Sequence, residues 1–278
     1  MKKNNTKLGL LGLILIVFAV VSCNKKELRL QDMEVEEISI SETKYYEDNP
    51  DYASYKVGIN IQLPISSQGD IFLRLRDSII AQTFYLEYDS KESSLDEGVK
   101  QYIEEKTEIM YEPDSEFLRD NRANNHFWTN LEGSFVYQKD WLASYRVGED
   151  NYLGGAHPFR YTYHFNYDID SGEVIRIEDI LNKDFLEGGE LRDMLISQLL
   201  IQEEAESLEE IGIFDFMLGD KLPDFPISNN VYFIDDTLVF FYGQYEIRAY
   251  VYGETRIKIP LKDLEENLKP RFQTIISK

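Results

Sequence analysis

The sequence predicts an α+β protein with mainly antiparallel sheets, helices packed on one sheet face, and two subdomains. Several segments alternate apolar and polar residues with a period of two, as half-buried strands do, and others repeat apolar residues at helical spacing. These segments form two strand-plus-helix sets. They do not follow one another in the regular βαβ order that builds a parallel sheet.

The first strands are predicted on either side of a turn. Residues 34–40 hold a candidate first strand, and residues 47–51 combine acidic residues, asparagine and proline in a sequence typical of turns. Residues 56–63 place an apolar side chain at every second position, and Pro64 ends the pattern. We therefore expect a half-buried strand at 56–63.

Two helices are predicted next, at residues 70–86 and 94–110, because apolar residues recur there three and four positions apart. Ser94 is followed three residues later by Glu97, which matches the capping box that opens many helices. The segment 111–130 is polar and is predicted to be irregular.

A hairpin is predicted where the period changes to two. Residues 131–138 and 141–147 both alternate, and only Lys139 and Asp140 separate them. Two alternating runs joined by two residues favour a β-hairpin, although this connection lacks the glycine of the most favourable turns.

The clearest strand pattern lies at residues 161–170. One face carries polar side chains, among them Thr162 and His164, and the other is aromatic and apolar. Burial of a large apolar side chain contributes roughly 1.5–3 kcal/mol, so we expect the aromatic face to pack away from water. That face consists of Tyr161, Tyr163, Phe165, Tyr167 and Ile169.

The C-terminal part predicts two helices and three strands. Gly188 and Gly189 weaken the start of the first helix, because glycine disfavours helix formation. The strands are short and apolar, and two of them are joined by a pair of aspartates. The predicted elements are a helix at 184–201, strands at 230–234, 237–242 and 255–260, and a helix at 261–268.

The start of the chain has the composition of an export signal. Lysines precede an apolar run at residues 8–21, which is too short to span a bilayer comfortably. Residues 20–23, Val-Val-Ser-Cys, then resemble the bacterial lipobox, so we expect Cys23 to be the acylated N-terminus; the alternative is a signal anchor with an incidental cysteine. The predicted domains are a signal peptide at 1–22, a tether at 23–50, and α+β domains at 51–150 and 151–278.

Charge and cysteine content limit the partners. The formal net charge is −22, and removal of residues 1–22, with three lysines and no acids, makes it −25. Nucleic acid is not expected as a partner, because phosphate binding needs clustered lysine and arginine. The acidity fits either solubility or attraction of a cationic protein, peptide or metal. Cys23 is the only cysteine, so an intrachain disulfide is excluded.

Between the two predicted domains lies the segment Tyr-Leu-Gly-Gly-Ala-His-Pro-Phe at residues 152–159, here called the glycine corner. Adjacent glycines permit positive φ angles, and the proline favours an extended backbone before it or a cis bond. Three interpretations stay open: a tight connection whose histidine bonds a neighbouring carbonyl, a ligand or partner contact, and catalysis. The residues singled out for ligand contact are Tyr152, Gly154, Gly155 and His157.

No cofactor, metal site or catalytic residue is predicted. His157 and His164 are seven residues apart, which does not match the four-residue spacing of a helical zinc pair. His164, Asp168 and Asp170 share a strand face, so a surface cation site is conceivable there, although alternation alone groups polar residues on one face. No serine stands in a Gly-x-Ser-x-Gly nucleophile elbow.

Several segments resemble a family of bacterial envelope proteins. The family pairs an N-terminal domain of unknown function, also found in a peptidoglycan deacetylase, with a C-terminal partner domain. Together they are similar to the extracellular part of an anti-sigma factor that senses lysozyme. The similar segments are residues 152–157, 165–168, 171–173, 177–181, 226–227 and 242–247, with Tyr250 and Gly253.

The resemblance implies an extracytoplasmic recognition module whose partner is a cationic protein such as lysozyme or a peptidoglycan fragment. The predicted lipid anchor replaces the membrane helix of the anti-sigma factor, and no His-x-x-x-His metal pair of a deacetylase is present. We therefore expect a lipid-anchored binding protein of the cell envelope, in the outer membrane if the cell has one. The alternatives are a cell-wall enzyme with a centre near His157, and a structural lipoprotein.

Overall fold

The computed structural model describes residues 33–65, 70–85, 94–120, 125–214 and 225–276. In these residues a six-stranded sheet and a three-stranded sheet pack together, and each has helices against one of its faces. The predicted α+β class with mainly antiparallel sheets is confirmed. The predicted signal peptide and Cys23 lie outside the described residues.

The larger sheet holds the first six strands in sequence order. Neighbouring strands are antiparallel except the second and third, which are parallel because two helices intervene between them. Its strands are β1 (Val35–Tyr45), β2 (Ser54–Pro64), β3 (His126–Lys139), β4 (Leu142–Tyr152), β5 (Phe159–Asp168) and β6 (Val174–Ile175).

Helices α1 (Asp70–Thr83) and α2 (Leu95–Lys106) cover one face of this sheet. The alternating apolar residues of β2, with Ile59 as an example, form a core with residues such as Leu75 of α1. The backbone N–H of Glu97 donates to Ser94 Oγ at 3.1 Å, so Ser94 caps α2 as the sequence indicates.

The predicted hairpin is present as β3 and β4. Lys139 and Leu142 are the last paired residues, so the connection is Asp140 and Trp141. Asp140 adopts a φ of +53°, a left-handed conformation that aspartate tolerates better than most residues, which explains why the turn forms without glycine. β3 begins at His126, so the end of the segment predicted to be irregular is a strand.

The C-terminal part begins with short helices and continues into the smaller sheet. Gly188 has extended backbone angles (φ −77°, ψ 168°) and divides the single predicted helix into α4 and α5. The elements are α3 (Ile177–Ile180), α4 (Lys183–Glu187), α5 (Gly189–Gln202), β7 (Val231–Ile234), β8 (Thr237–Tyr242), β9 (Thr255–Pro260), a 3₁₀ helix (Leu261–Asn267) and α6 (Pro270–Gln273).

The predicted boundaries before residues 51 and 151 both fall within the larger sheet. β4 pairs with both β3 and β5, so the boundary between residues 150 and 151 falls inside one sheet. The first apolar core extends to Ile169, and the second contains Leu142 of β4 as well as Ile175 of β6, so the larger sheet contributes residues to both cores. β1 lies within the predicted tether at 23–50, because its alternate residues, with Ile38 as an example, enter the first core.

Candidate functional site

The site is organised by β5, which lies where the two sheets meet. Its polar face is held by Asn230 from the segment before β7. Asn230 Oδ1 accepts from the backbone N–H and the Nδ1–H of His164, both at 2.9 Å, and its Nδ2 donates to the Thr162 carbonyl at 2.7 Å. These bonds satisfy backbone groups of β5 on the side where it has no strand partner.

The next residues of the same face bind the edge of the smaller sheet. Asn166 Nδ2 donates to the Val231 carbonyl at 2.8 Å, and Ser144 Oγ donates to Asn166 Oδ1 at 2.6 Å. The backbone N–H of Phe233 donates to Ser144 Oγ at 3.0 Å. The two sheets are therefore joined by a buried polar network, and the free edge of β7 is covered.

This arrangement corrects the interpretation of the polar face as a surface. His164 is buried between Tyr232 and Phe241, and burial lowers the pKa of His164 to about 4. Asp168 and Asp170 form ion pairs with Arg271 instead of facing an open cation site. In the described part of the chain, no group of three or more histidine, cysteine and acidic side chains converges to hold a metal.

The aromatic face of β5 is buried at only one end. Tyr167 is fully buried in the core beneath α1, and Phe165 packs against that core. Tyr161 and Tyr163 remain 46% and 40% exposed. The expectation that the whole aromatic face packs away from water is therefore wrong for its first half.

The glycine corner connects β4 to β5 and lies at the surface. Gly154 adopts a φ of +83°, which favours glycine, whereas a Cβ on Gly155 would meet open space. The turn thus requires only the first of the two glycines. The bond before Pro158 is trans, since the described residues contain no cis peptide. Tyr152 is half-buried at the end of β4, opposite Trp128 of β3.

The His157 ring is exposed and fixed by two contacts. Its Nδ1–H donates to the Pro158 carbonyl at 2.9 Å, which leaves Nε2 as the acceptor nitrogen. The ring stacks on Tyr250, with the ring centroids 4.0 Å apart, and the Tyr250 hydroxyl donates to the same carbonyl at 3.1 Å. Tyr250 belongs to the connection between β8 and β9, so the glycine corner contacts the C-terminal sheet region.

From this stack a line of aromatic side chains continues along β5. Tyr250 lies 5.6 Å from Tyr245 between ring centroids, Tyr245 stacks on Phe159 at 6.0 Å, and Phe159 lies 4.6 Å from Tyr161. Tyr163 follows Tyr161 on the same strand face and contacts Tyr85 at 6.4 Å. We call this line the aromatic row: Tyr250, Tyr245, Phe159, Tyr161, Tyr163 and Tyr85, with His157 at its end.

Charged side chains border one end of the aromatic row. A cavity of about 310 Å³ is lined by Phe159 and Tyr250 together with polar residues. Two of these, Arg160 and Asp150, form an ion pair, and Glu254 is paired with Arg256. Thr162 Oγ1 also donates to Glu254 at 2.6 Å. The cavity therefore combines two aromatic rings with fixed hydrogen-bonding groups.

The sequence identifies the glycine corner but does not assign the aromatic row to a site. Tyr161 and Tyr163 are predicted to be buried, Tyr245 and Tyr250 enter only through the family resemblance, and Tyr85 is not singled out. The sequence feature that indicates Tyr245 and Tyr250 is the segment 243–253, which has the composition of a loop and contains three tyrosines in eleven residues. Loop residues of this type are enriched in binding surfaces.

Comparisons with known proteins support the fold. Residues 178–262 match the model of a family described as a protein of unknown function, DUF3298. A DUF3298 family member from Bacteroides fragilis NCTC 9343 is 25% identical, with a TM-score of 0.72 over 89% of this chain and 98% of that one. One from Pseudomonas aeruginosa PAO1 is 16% identical, with a TM-score of 0.62 over 88% and 97%. No curated protein matches the chain.

These similarities lie at the level of the domain and the fold. The resemblance to an anti-sigma factor and to a deacetylase stays a prediction. None of the helices that the structure describes is long and apolar enough to cross a membrane. Residues 178–262 of this chain therefore match the DUF3298 family model, and the chain shares its fold with solved DUF3298 family proteins.

Proposed function

We propose that this chain is a lipid-anchored recognition protein of the bacterial cell envelope that binds a wall-active protein or a cell-wall fragment. Acyl chains on Cys23, palmitate among them, would hold it outside the cytoplasm. The observation that carries the proposal is the exposed stack of His157 on Tyr250, where the glycine corner meets the loop before β9. Tyr152, Gly154, Gly155 and His157 form the edge of the proposed site.

The His157 ring is both ordered and exposed. A side chain that protrudes into water normally gains little from a fixed position, because ordering it costs conformational entropy. His157 is nevertheless held by a ring stack and a hydrogen bond at the surface. Preorganised rings lose less entropy when a partner binds, which is how recognition surfaces gain affinity. The chain's acidity adds long-range attraction for a cationic partner.

The binding test uses the full acylated chain in detergent micelles. A basic wall-active protein and a muropeptide are titrated separately, and saturable binding of at least one is expected. His157→Ala should weaken that binding at least tenfold and leave the melting temperature unchanged. Ile201→Ala, at an exposed position on α5, serves as the control and should bind like the wild type. If both variants bind the ligand with equal affinity, the glycine corner is not part of the binding site.

The two other functions predict different results. A cell-wall enzyme with a centre near His157 requires new products when the chain is incubated with peptidoglycan, with or without a divalent metal. A structural lipoprotein requires that His157→Ala lower the melting temperature while neither titrated ligand raises it. Either result would replace the recognition function.

The anchor has a separate test at Cys23. Mass spectrometry of the membrane-extracted chain should show an acylated Cys23 as the first residue. Cys23→Ala should abolish acylation and processing. An unprocessed wild-type chain would indicate a signal anchor with an incidental cysteine instead.

A further inference from the structure

We propose that the aromatic row is a binding platform for an uncharged glycan chain, whose sugar rings stack on the exposed tyrosines. This inference rests on the proposed recognition function and names its ligand class. The row extends beyond the predicted site edge, from the glycine corner along the first half of β5 to the end of α1. A ligand that contacts all of it must be extended.

The spacing of the rings favours a linear polymer. Phe159, Tyr161 and Tyr163 point to the same side of β5, so their Cα atoms follow one another at about 6.4–6.8 Å along the strand. The rings of Phe159 and Tyr161 lie closer, with centroids 4.6 Å apart. Tyr85 and Tyr245 continue the row at its two ends. A succession of exposed aromatic rings suits a polymer whose units each present a flat C–H face, which a pyranose chain does.

The row groups several large exposed side chains in one place. Tyr85 and Tyr245 are 62% and 57% exposed. Contiguous exposed aromatic surface marks an interaction site more often than it marks an ordinary monomer surface. Tyrosine suits a ligand with both apolar and polar edges, because the ring is apolar and the hydroxyl forms hydrogen bonds.

The backbone adds an independent observation. Tyr85 and Tyr245 have φ angles of +54° and +65°, in the left-handed region that is unfavourable for bulky residues. Glycine would occupy either position at lower conformational energy. Residues in such conformations are concentrated at functional sites, where the side chain compensates for the strain. Both residues belong to the row, so their backbone conformations support a binding role for the two rings.

Most charges beside the row are paired, which favours an uncharged ligand. In a chain of net charge −22, the bordering acids Asp150 and Glu254 are balanced by the partner cations Arg160 and Arg256. Glu246 is a further acid nearby, and its carboxylate accepts the Gly243 N–H at 2.7 Å. Paired carboxylates and guanidinium groups present donors and acceptors together, which suits hydroxyl and amide groups on a glycan better than a lone cation.

In the test, a soluble hexamer of N-acetylglucosamine is titrated into the full acylated chain in detergent, and binding is measured by calorimetry. We expect saturable binding that changes less than twofold between 50 and 500 mM salt, because no net charge is neutralised. Tyr161→Ala and Tyr163→Ala should each weaken binding at least tenfold. Tyr161→Phe, which keeps the ring, should stay within threefold of the wild type.

The matched control is Tyr111→Ala, at a 64% exposed position outside the row, which should bind the hexamer like the wild type. The glycan assignment is overturned if the wild type shows no saturable binding, or if the Tyr161 and Tyr163 variants bind normally. If a basic protein binds instead, in a salt-sensitive manner that depends on His157, the glycan inference fails and the recognition function stands. If the hexamer, the basic protein and the muropeptide all fail to bind, both the glycan inference and the recognition function fail.

Discussion

The two faces of β5 differ both in the polarity of their side chains and in how far they are buried. The polar face, from Thr162 to Asn166, is buried against Asn230 and the edge of β7. The first half of the aromatic face, at Tyr161 and Tyr163, stays exposed. Hydrophobicity alone would reverse this order. Polar groups can be buried when all their hydrogen bonds are formed. Which face of a strand is buried therefore depends on the partners that pack against it.

The burial of the aromatic face also changes along the strand. Tyr167→Ala should lower the free energy of unfolding by about 4 kcal/mol, because a fully buried aromatic side chain leaves a cavity in the core. Tyr163→Ala, four residues earlier on the same face, should cost about 1 kcal/mol or less. Urea unfolding of both variants measures the contrast. Equal losses would mean that Tyr163 is covered in solution.

The polar face is tested by Asn166→Ala. This variant leaves the Val231 carbonyl and the Ser144 hydroxyl without their bonds to the amide, at a cost of about 3 kcal/mol. Asn60→Ala, at an exposed position of β2, should change stability by less than about 0.5 kcal/mol. Similar urea midpoints for the two variants would show that the network does not join the sheets.

The fold was largely predictable because periodicity identifies strands and helices directly. The strand at 255–260 agrees with β9 at both ends, and the turn at Asp235 and Asp236 lies between β7 and β8. Periodicity separates the two faces of a strand, but it does not tell which face is covered. The covering of His164 comes from Asn230, 66 residues later, and no local pattern at β5 contains that information.

The candidate site was predictable only in part, for a similar reason. The Gly-Gly and His-Pro pairs indicated a surface turn with a positive φ, which the structure has at Gly154. The contact of His157 with Tyr250 joins residues 93 positions apart. The aromatic row likewise combines α1, β5 and the loop before β9, so it exists only in the folded chain.

The buried histidine makes the polar face sensitive to acid. Its pKa of about 4 in the folded chain lies below the ordinary value of 6.5, so between these pH values the unfolded chain binds more protons at this site. Stability therefore falls as pH falls, and the expected loss from this group at pH 5 is about 2 kcal/mol. The cause is burial, to which the charges of Arg146 and Arg256 add.

His164→Gln isolates this contribution. The difference in unfolding free energy between pH 7.5 and pH 5 should be about 2 kcal/mol smaller in the variant than in the wild type. His157→Gln, on the exposed glycine corner, should retain the wild-type difference. An unchanged difference in His164→Gln would mean that the histidine is accessible to water in the folded chain.

The smallest expected change in stability is that of a substitution at Tyr245 in the aromatic row. This substitution tests whether the strained backbone there supports a binding role. Tyr245→Gly relieves a left-handed backbone that costs a non-glycine residue about 1–2 kcal/mol, and it adds about 0.5–1 kcal/mol of unfolded-state entropy. With the loss of ring contacts to Phe159 and Tyr250, the net change should be within about 0.5 kcal/mol. Tyr245→Ala loses the same ring without relieving the backbone, so it should be less stable than the glycine variant, the reverse of the usual order. If Tyr245→Gly is the less stable of the two, the tyrosine is not strained in solution, and its conformation gives no support to a binding role.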